Sequence, residues 1–370
     1  MAVVHPMLSQ LTTLRPLAPW PAIARKNGHG TPIAPSDSLC RFAVPSKPVI
    51  GRPAPSPHHL YRCVCHTMPV SCECLLIYNR HSGKAQADDF ANDLLASRSP
   101  LSVCQLDREV DLDEPIGRAI ESGCEKVVAA GGDGTVNAVV NALMQFPAHQ
   151  RPELGILPMG TANDFAGTLM IPDDLTEASE MADNGQTVEM DVIRIRGKSL
   201  DTYFANVAAG GNSVRVSEQM TDEIKQTWGA LSYIRGAVDV LADMQPYRVI
   251  IDCDDQQKQL DSWGILIANG RTNAGRIPVA PEASPCDGWM DVVIIREGTV
   301  LDMAEMVSKT LLSSFLECEQ VDFCRAKTVE LRSDPPMRFT LDGEVIEQEP
   351  VRFEIVPAAI RVRVGAGFAC

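Results

Sequence analysis

The sequence predicts an α/β protein of two domains: an N-terminal parallel-sheet α/β domain and a C-terminal, mainly antiparallel β-sandwich domain. Short apolar runs alternate with helical patterns from residue 72 to about 185, whereas most segments from residue 186 onward are strands joined by turns. The chain has 370 residues, which is enough for about two domains, and its 45% hydrophobic residues can form their cores.

The first domain is predicted to contain four strands with helices between them. Each strand is a short apolar run, at 72–79, 101–106, 126–130 and 154–159. Helical spacing of apolar residues predicts helices at 85–98, 113–122 and 136–146. Strands and helices that alternate with short loops are typical of a parallel sheet covered on both faces.

The second domain is predicted to be an antiparallel sandwich or barrel. Strand patterns recur with turns between them, at 187–197, 202–211, 247–254, 263–270, 290–298, 327–333, 337–344 and 351–365. Helical patterns interrupt them near 213–244 and 301–315.

Residues 1–67 are predicted to be a disordered, Pro-rich, basic leader. They hold seven of the 33 basic residues, one of the 48 acidic residues and 11 of the 26 prolines, and they show neither a helical nor a strand period. An organellar transit segment and a translation start at Met68 are both compatible with this composition. We therefore place the domain boundaries at 68–185 and 186–370.

A chain that begins at Met68 is expected to fold and to keep its activity, because residues 1–67 lack the apolar period needed to join a core. Thermal unfolding of the full and shortened chains checks this expectation. A melting temperature many degrees lower in the shortened chain would show that the leader is structural.

The bulk composition excludes some classes of protein. A formal net charge of −15 argues against a general nucleic-acid binder, which usually carries a basic face. No run of about 18 uninterrupted apolar residues occurs, so no transmembrane helix is expected. The 12 cysteines are scattered, which indicates reduced, buried thiols of a cytosolic protein rather than a disulfide framework.

A strand-to-helix turn with three glycines and one carboxylate stands out in the first domain. The sequence GGDGT, at 131–135, follows the strand at 126–130 directly. Glycines let the backbone approach a phosphate, and a helix N-terminus presents free N–H groups to it. A carboxylate beside phosphates needs a cation between them, so the turn indicates a nucleotide with Mg²⁺. The alternative is a plain glycine turn with Asp133 as the helix cap.

A second glycine turn, LPMGTANDFAGTL at 157–169, also leads from a strand into a helix. Thr161 can offer a hydroxyl to a phosphate, while Asn163 and Asp164 can fix the loop or hold a metal-bound water. Alternatively, Thr161 or Asn163 only caps the next helix. Because both turns end successive parallel strands, we expect them to face one crevice, where open α/β sheets bind ligands.

These motifs resemble the diacylglycerol kinase catalytic family, and specifically its bacterial YegS-type lipid kinases. GGDGT and LPMGTANDFA are similar to the family's glycine motifs. The segment NGRTNAGRIPVAPEASPCDGWMDVVII at 269–295 is similar to its glycine-rich loop and Asp-Gly metal segment, and WGALSY at 228–233 to a helix. FTLDGEVIEQEPVRFEIVPAAIRVRV at 339–364 is similar to its terminal LDGE and last strands. The resemblance covers about 72–365. It implies that the first domain binds ATP and is of the NAD kinase or phosphofructokinase type. Whether the last strands of the chain return to that first domain is left open.

The resemblance also implies roles for single residues. It implies that the ATP site is lined by Gly132, Asp133, Gly134, Thr135, Val136, Asn137, Ala138 and Thr161. It implies that Mg²⁺, or Ca²⁺ in its place, binds Asp287 beside the main-chain carbonyls of Ser284 and Trp289; an Asp-Gly turn is the alternative. It implies that Glu344 of LDGE is the proton acceptor, with a solvated turn carboxylate as the alternative.

Three positions depart from the family pattern. Arg80 replaces the proline of the family's first motif, Asn-Pro-x-Ser-Gly, which here reads NRHSG at 79–83. Ala138 stands where the family usually has Glu, and Leu106 where relatives can carry a nucleotide-contacting Thr. These departures bear on ATP affinity more than on the chemistry.

The resemblance implies a lipid kinase that transfers the γ-phosphoryl group of ATP to a hydroxyl of a membrane glycerolipid, phosphatidylglycerol or diacylglycerol. Such a protein is expected in the cytoplasm and peripheral to the membrane, with Arg271 and Arg276 as candidate lipid contacts and a homodimer left open. The alternatives are an NAD kinase-like small-molecule kinase, a sphingosine-type kinase and a catalytically silent lipid-binding regulator. GTANDFA and LDGE favour the lipid kinase, and Asp133, Asp287 and Glu344 together favour an active enzyme.

Overall fold

The computed structural model describes residues 63–65, 73–80, 82, 101–106, 111–214, 244–299, 302, 305–306, 309, 318–342, 344–346 and 350–370. The predicted leader (apart from 63–65), the predicted helix at 85–98 and the WGALSY segment lie outside the described residues. So do most of the helical patterns near 213–244 and 301–315. The described residues belong to one compact unit, Pro53–Cys370.

The first lobe, which comprises the described residues up to 185, is built on four parallel strands, β2 (Cys74–Tyr78), β3 (Leu101–Leu106), β4 (Lys126–Gly131) and β5 (Glu153–Pro158). Their order in the sheet is β3–β2–β4–β5, and a short β1 (Cys63–Cys65) pairs antiparallel with β3. The predicted strands therefore form, within one or two residues of their expected bounds. Their interior positions are buried on both sides, as in a parallel sheet covered by helices.

Four described helices accompany this sheet, α1 (Asp113–Glu121), α2 (Asp133–Leu143), α3 (Asp164–Thr168) and α4 (Leu175–Asn184). Helix α2 begins three residues earlier than predicted, because Gly132 adopts an extended conformation and Asp133 already lies in the first turn. Helix α4 was not predicted. Its signal is DLTE at 174–177, where the carboxylate of Asp174 accepts the N–H groups of Thr176 and Glu177.

The second lobe, from residue 186 onward, consists of strands. They are β6 (Gln186–Gly197), β7 (Asp201–Phe204), β8 (Val207–Gly211), β9 (Tyr247–Cys253), β10 (Gln256–Ala268), β11 (Thr272–Asn273), β12 (Ile277–Pro278), β13 (Met290–Arg296), β14 (Val321–Ala326), β15 (Thr328–Asp334), β16 (Phe339–Leu341), β17 (Glu344–Ile346) and β18 (Pro350–Val364). Strand β14 was not predicted, and the single strand expected at 202–211 is two strands. Apart from β18 with β5, the strand pairs of this lobe are antiparallel.

The long strand β18 joins the two lobes. Its first part pairs antiparallel with β15, whereas Val362 pairs parallel with Leu154 of β5. Strand β6 follows β18 along most of its length, with an irregularity between Val356 and Ile360. One core lies on the parallel sheet and a second lies inside the sandwich, where the ring of Phe353 contacts those of Phe204 and Phe339. The predicted α/β fold class is thus confirmed.

Two predictions on composition can be compared with the structure. No described helix is long and apolar enough to cross a membrane. The expectation of reduced thiols is wrong at one pair, because Cys286 and Cys370 form a disulfide. The reason is that the loop after β12 and the last residue of the chain lie side by side. Six other cysteines in the described part of the chain form no disulfide: Cys74, Cys104, Cys124, Cys253, Cys318 and Cys324.

Candidate active site

The two glycine turns meet at the carboxyl ends of β4 and β5. These strands are parallel neighbours, with Gly131 opposite Pro158, and the N–H of Met159 donates to the carbonyl of Gly131 at 2.9 Å. A Cβ on Gly160 would lie 2.5 Å from the Cα of Gly132, so only glycine fits where the backbones touch. The contact produces one crevice edge made largely of main chain, which suits close approach to a phosphate.

Asp133 lies where the two turns meet. Its Oδ1 accepts the N–H of Phe165 at 3.1 Å, so the carboxylate bridges the starts of α2 and α3. Burial raises the pKa of Asp133, and the charge of Asp164 raises it further, against the lowering effect of nearby main-chain N–H groups. A carboxylate held partly buried beside another one is a favourable neighbour for a cation.

The other residues of the predicted ATP site divide into two groups. Gly132 and Gly134 are partly exposed at the crevice, and Thr161 is exposed at the tip of the second turn. The side chains of Thr135, Val136 and Asn137 are instead buried in the fold, and Ala138 is half-buried against the first core. These four residues can therefore serve the site mainly through the main chain of the first turns of α2.

Hydrogen bonds explain why Thr135 and Asn137 face inward. Asn79, at the end of β2, donates from Nδ2 to Oγ1 of Thr135 at 3.1 Å, and Gly131 leaves the room that this threonine needs. Asn137 accepts from Asn141 at 3.0 Å, and Asn141 in turn accepts the N–H of Tyr203 on β7. The NRHSG motif, through Asn79, is thereby attached to the GGDGT turn. Helix α2, through Asn141, is attached to the second lobe.

Asn163 and Asp164 fix the second turn, which is one of the two roles expected for them. Asn163 has a left-handed backbone (φ 51°), and its side-chain amide both accepts from and donates to Gly160, at 2.8 and 2.9 Å. The buried carboxylate of Asp164 accepts the N–H groups of Gly275 and Arg276, and burial raises its pKa. Asp164 therefore anchors the β11–β12 hairpin of the second lobe over the first.

The LDGE turn reaches the same place from the end of the chain. Asp342 is buried with a left-handed backbone (φ 45°), and its carboxylate accepts the N–H groups of Ala205, Asn206 and Val207 at 3.0–3.2 Å. Burial raises the pKa of Asp342 to about 7, and the charge of Asp133 contributes to the rise. The two carboxylates are thus close enough to interact. The main chain at 205–207 turns toward Asp342 to make these hydrogen bonds. This turn divides the strand expected at 202–211 into β7 and β8.

Glu344 begins β17 and pairs with Leu341 across the turn. Its side chain lies outside the described part of the chain, so its predicted role stays a prediction. The sequence reasoning assigned no role to Asp342, although an aspartate between a strand and a glycine is a visible hairpin signal.

Two further buried residues that the sequence reasoning missed connect the loop at 284–289 with the LDGE turn. Asp191 on β6 accepts the N–H of Gly288 at 2.7 Å, and burial raises its pKa. Asn269 donates to the carbonyls of Asp191 and Ala205, at 2.9 and 2.7 Å. Ala205 in turn donates to Asp342. A single aspartate in the apolar run of β6 is the sequence signal that could have identified Asp191.

The predicted metal residues lie in this loop. Oδ1 of the exposed Asp287 accepts the N–H of Trp289 at 3.0 Å, and Gly288 has a positive φ (74°). The loop therefore forms a turn at Asp287 and Gly288, as the Asp-Gly alternative describes. Oδ2 of Asp287 is ion-paired with Arg325. Ser284 is partly buried, with its Oγ 3.5 Å from Sγ of Cys286.

The predicted metal residues must meet what a divalent cation needs: oxygen ligands and nearby negative charge. Among the described residues, no three His, Cys, Asp or Glu side chains are grouped as a metal site. The predicted set therefore depends on one carboxylate and two main-chain carbonyls, which are ligands that Mg²⁺ and Ca²⁺ accept. Asp191 and Asp291 add negative charge, since the charge of Asp287 raises the pKa of both after the larger effect of their burial. The donor chemistry and this excess charge suit a cation.

The two candidate lipid contacts and two departures from the family pattern have these surroundings. Arg271 donates from Nε to the carbonyl of Ala283, and Arg276 is ion-paired with Asp173 while its side chain packs on Gly167. The carbonyl leaves the charge of Arg271 unbalanced, whereas Asp173 partly balances that of the exposed Arg276, and both stay candidate lipid contacts. Of the departures from the family pattern, Leu106 is buried and Arg80 is exposed.

Comparison with known families agrees with this architecture. The model described as the diacylglycerol kinase catalytic domain matches residues 73–195. The model described as the YegS C-terminal NAD kinase beta sandwich-like domain matches residues 205–364. The two models together cover most of both lobes.

Curated relatives and solved structures point the same way. A diacylglycerol kinase of Staphylococcus epidermidis is 30% identical over 285 residues, which are 75% of this chain and 87% of the relative. A protein of Pectobacterium atrosepticum named probable lipid kinase YegS-like is 33% identical over 256 residues, 69% of this chain and 83% of its own length.

The structural likeness concerns the fold. A diacylglycerol kinase structure from Bacillus anthracis has a TM-score of 0.58 at 18% identity and covers 80% of this chain and 98% of its own. A second structure from the same organism has a TM-score of 0.66 at 22% identity, with 80% and 96% covered. With both lobes matched and a relative at 30% identity over most of its length, the chain belongs to the diacylglycerol kinase family of lipid kinases, in its YegS-like branch.

Proposed function

We propose that the chain is an ATP- and divalent-cation-dependent lipid kinase that transfers the γ-phosphoryl group to a hydroxyl of a membrane glycerolipid. The observation that carries the proposal is the meeting of GGDGT, GTAND and LDGE, in which Asp133 interacts with both Asp164 and Asp342. Relatives named diacylglycerol kinase favour diacylglycerol as the acceptor, with phosphatidylglycerol as the second candidate.

The first lobe binds the nucleotide in this proposal. The start of α2 presents main-chain N–H groups and the positive end of the helix dipole to the phosphates. Gly132 and Gly160 let the phosphates approach the backbone, and Thr161 offers its hydroxyl from the tip of the second turn. Phosphoryl transfer depends mainly on such positioning and on charge neutralisation.

The second lobe supplies the acceptor side. Asp342 holds the main chain at 205–207 and the LDGE turn in one arrangement. Glu344, two residues after Asp342, accepts the proton of the lipid hydroxyl as the phosphoryl group moves. The lipid reaches the site from a membrane surface, with the chain bound peripherally.

Divalent cations enter the proposal at two places. Asp133 would face the cation that accompanies the triphosphate, and Asp287 with the carbonyls of Ser284 and Trp289 would hold a further one. When bound, such a cation neutralises phosphate charge or fixes the loop that holds it. Residues 68–185 and 186–370 then act as nucleotide and lipid domains.

A phosphoryl-transfer assay tests the proposed function. The protein is incubated with γ-labelled ATP, Mg²⁺ and mixed micelles that contain diacylglycerol, phosphatidylglycerol, sphingosine or ceramide, with NAD as a soluble acceptor. Label in a glycerolipid is the expected result. Label in NAD would support the NAD kinase alternative, and lipid binding without transfer would support the silent regulator.

A further inference from the structure

The guanidinium of Arg325, on β14, lies against the loop that carries the proposed metal residues. It is ion-paired with the carboxylate of Asp287, and its Nε lies 3.1 Å from Oδ1 of Asp291. The guanidinium also lies 5.9 Å from the centre of the Trp289 ring, and Lys327 lies 4.7 Å from the same ring. A protein cation thus already occupies the only side-chain ligand in the proposed metal set.

The loop carries more negative charge than Arg325 balances. Asp291 is 2% exposed, and its Oδ2 has no hydrogen-bond partner among the described residues. The carboxylate of Asp191 faces the same loop, where it accepts the N–H of Gly288. Two carboxylates therefore contact one guanidinium and a third contacts the main chain of the loop, so the loop attracts a second cation.

The geometry permits an exchange of cations at Asp287. Arg325 and Asp287 are both substantially exposed, and an exposed ion pair is weak. A divalent cation and the guanidinium compete for the same carboxylate oxygen, because both need its lone pairs. Arg325 can release Asp287 and keep its contact with Asp291, so the guanidinium does not lose its charge partner.

We propose that Arg325 is an internal counter-ion that occupies Asp287 when no metal is bound, and that it sets the cation affinity of the 284–289 loop by competition. This inference rests on the metal site proposed above. It makes metal binding an exchange of one cation for another, and the Trp289 ring, which contacts Arg325, reports the exchange.

The test measures cation binding without substrate or activity. Mg²⁺ and Ca²⁺ are titrated into the protein at fixed pH and ionic strength, with calorimetry and tryptophan fluorescence as readouts. The sequence has four tryptophans, so Trp289→Phe, which keeps the main-chain carbonyl, identifies the part of the fluorescence signal that comes from Trp289.

Arg325→Gln is expected to tighten cation binding about 3- to 10-fold, because the competing charge is gone. Arg296→Gln is the matched control. It removes the same charge from an exposed arginine at the opposite end of β13 from the loop, and it is expected to leave the dissociation constant unchanged. Arg325→Lys keeps the charge, but an ammonium group cannot hold two carboxylates in one planar fork. This variant is therefore expected to bind the cation more tightly than the parent does and less tightly than Arg325→Gln does. It replaces Arg325→Gln in the comparison if that variant does not fold.

Asp287→Asn separates the two proposals. If it binds cations as the parent does, the metal site is wrong and this inference fails with it. If Asp287→Asn abolishes binding but Arg325→Gln and Arg325→Lys bind no more tightly than the parent, the metal site stands and the competition is refuted.

Discussion

Replacing Glu344 with Gln is expected to lower kcat on the lipid substrate by about 10²–10⁴-fold, the usual contribution of a general base. A lipid hydroxyl is a poor nucleophile at neutral pH, and a carboxylate within hydrogen-bond reach can accept its proton as the phosphoryl group moves. Gln keeps the shape and the hydrogen bonding of Glu but not its basicity. The affinity for ATP is expected to change little, because Glu344 is proposed to act on the acceptor side.

Asp133→Ala is the control for this prediction, because Asp133 is proposed to act on the nucleotide side of the site. This variant is expected to bind ATP more weakly, whereas Glu344→Gln is not. Kinetics on the lipid substrate and equilibrium ATP binding distinguish the two effects. If Glu344→Gln is as active as the parent protein, Glu344 is not the base.

The stability of the protein is expected to depend on the proton held by Asp342. The pKa of this carboxyl is raised from its ordinary 3.8 to about 7 by burial, so the folded chain keeps a proton that the unfolded chain has released between these values. The contribution to the free energy of unfolding is complete below about pH 4 and is lost as the pH rises through about 7. Its size is roughly 4 kcal/mol, since each unit of pKa shift is worth about 1.4 kcal/mol.

Asp342→Asn isolates this contribution, because the amide does not titrate. The stability advantage of the parent over the variant is expected to shrink by several kcal/mol between about pH 4.5 and pH 8. Burial also raises the pKa of Asp133 and Asp164, but both residues are present in the two proteins. Urea unfolding at the two pH values measures the difference, and a difference that is the same at both would refute the assignment.

Much of the fold is visible in the sequence because it depends on local patterns. The buried strands of the first lobe are short apolar runs, and glycine-rich turns mark their ends. Strand β14 escaped prediction because its alternation is weak: Phe323 is exposed and charged residues lie on both faces. Strand β7 and strand β8 were merged because nothing local shows that Asp342 draws the main chain between them.

The site was predictable in its motifs but not in its partners. The contact between Gly132 and Gly160 follows from two glycine turns on neighbouring strands. The interaction of Asp133 with Asp342, the ion pair of Asp287 with Arg325 and the anchoring of the β11–β12 hairpin by Asp164 join residues far apart in the chain. No local pattern encodes such pairs, because tertiary packing alone brings them together.

The most direct test of the proposed function compares an acceptor lipid with its own methyl ether. The purified protein is given γ-labelled ATP, Mg²⁺ and micelles of diacylglycerol, of phosphatidylglycerol, or of the same lipids with each free hydroxyl methylated, and the lipid fraction is analysed for label. A glycerolipid kinase labels at least one lipid that has a free hydroxyl, labels no methyl ether, and loses nearly all of that activity in Glu344→Gln. Label in the methyl ethers, or in none of the lipids, would contradict phosphoryl transfer to a hydroxyl of these glycerolipids.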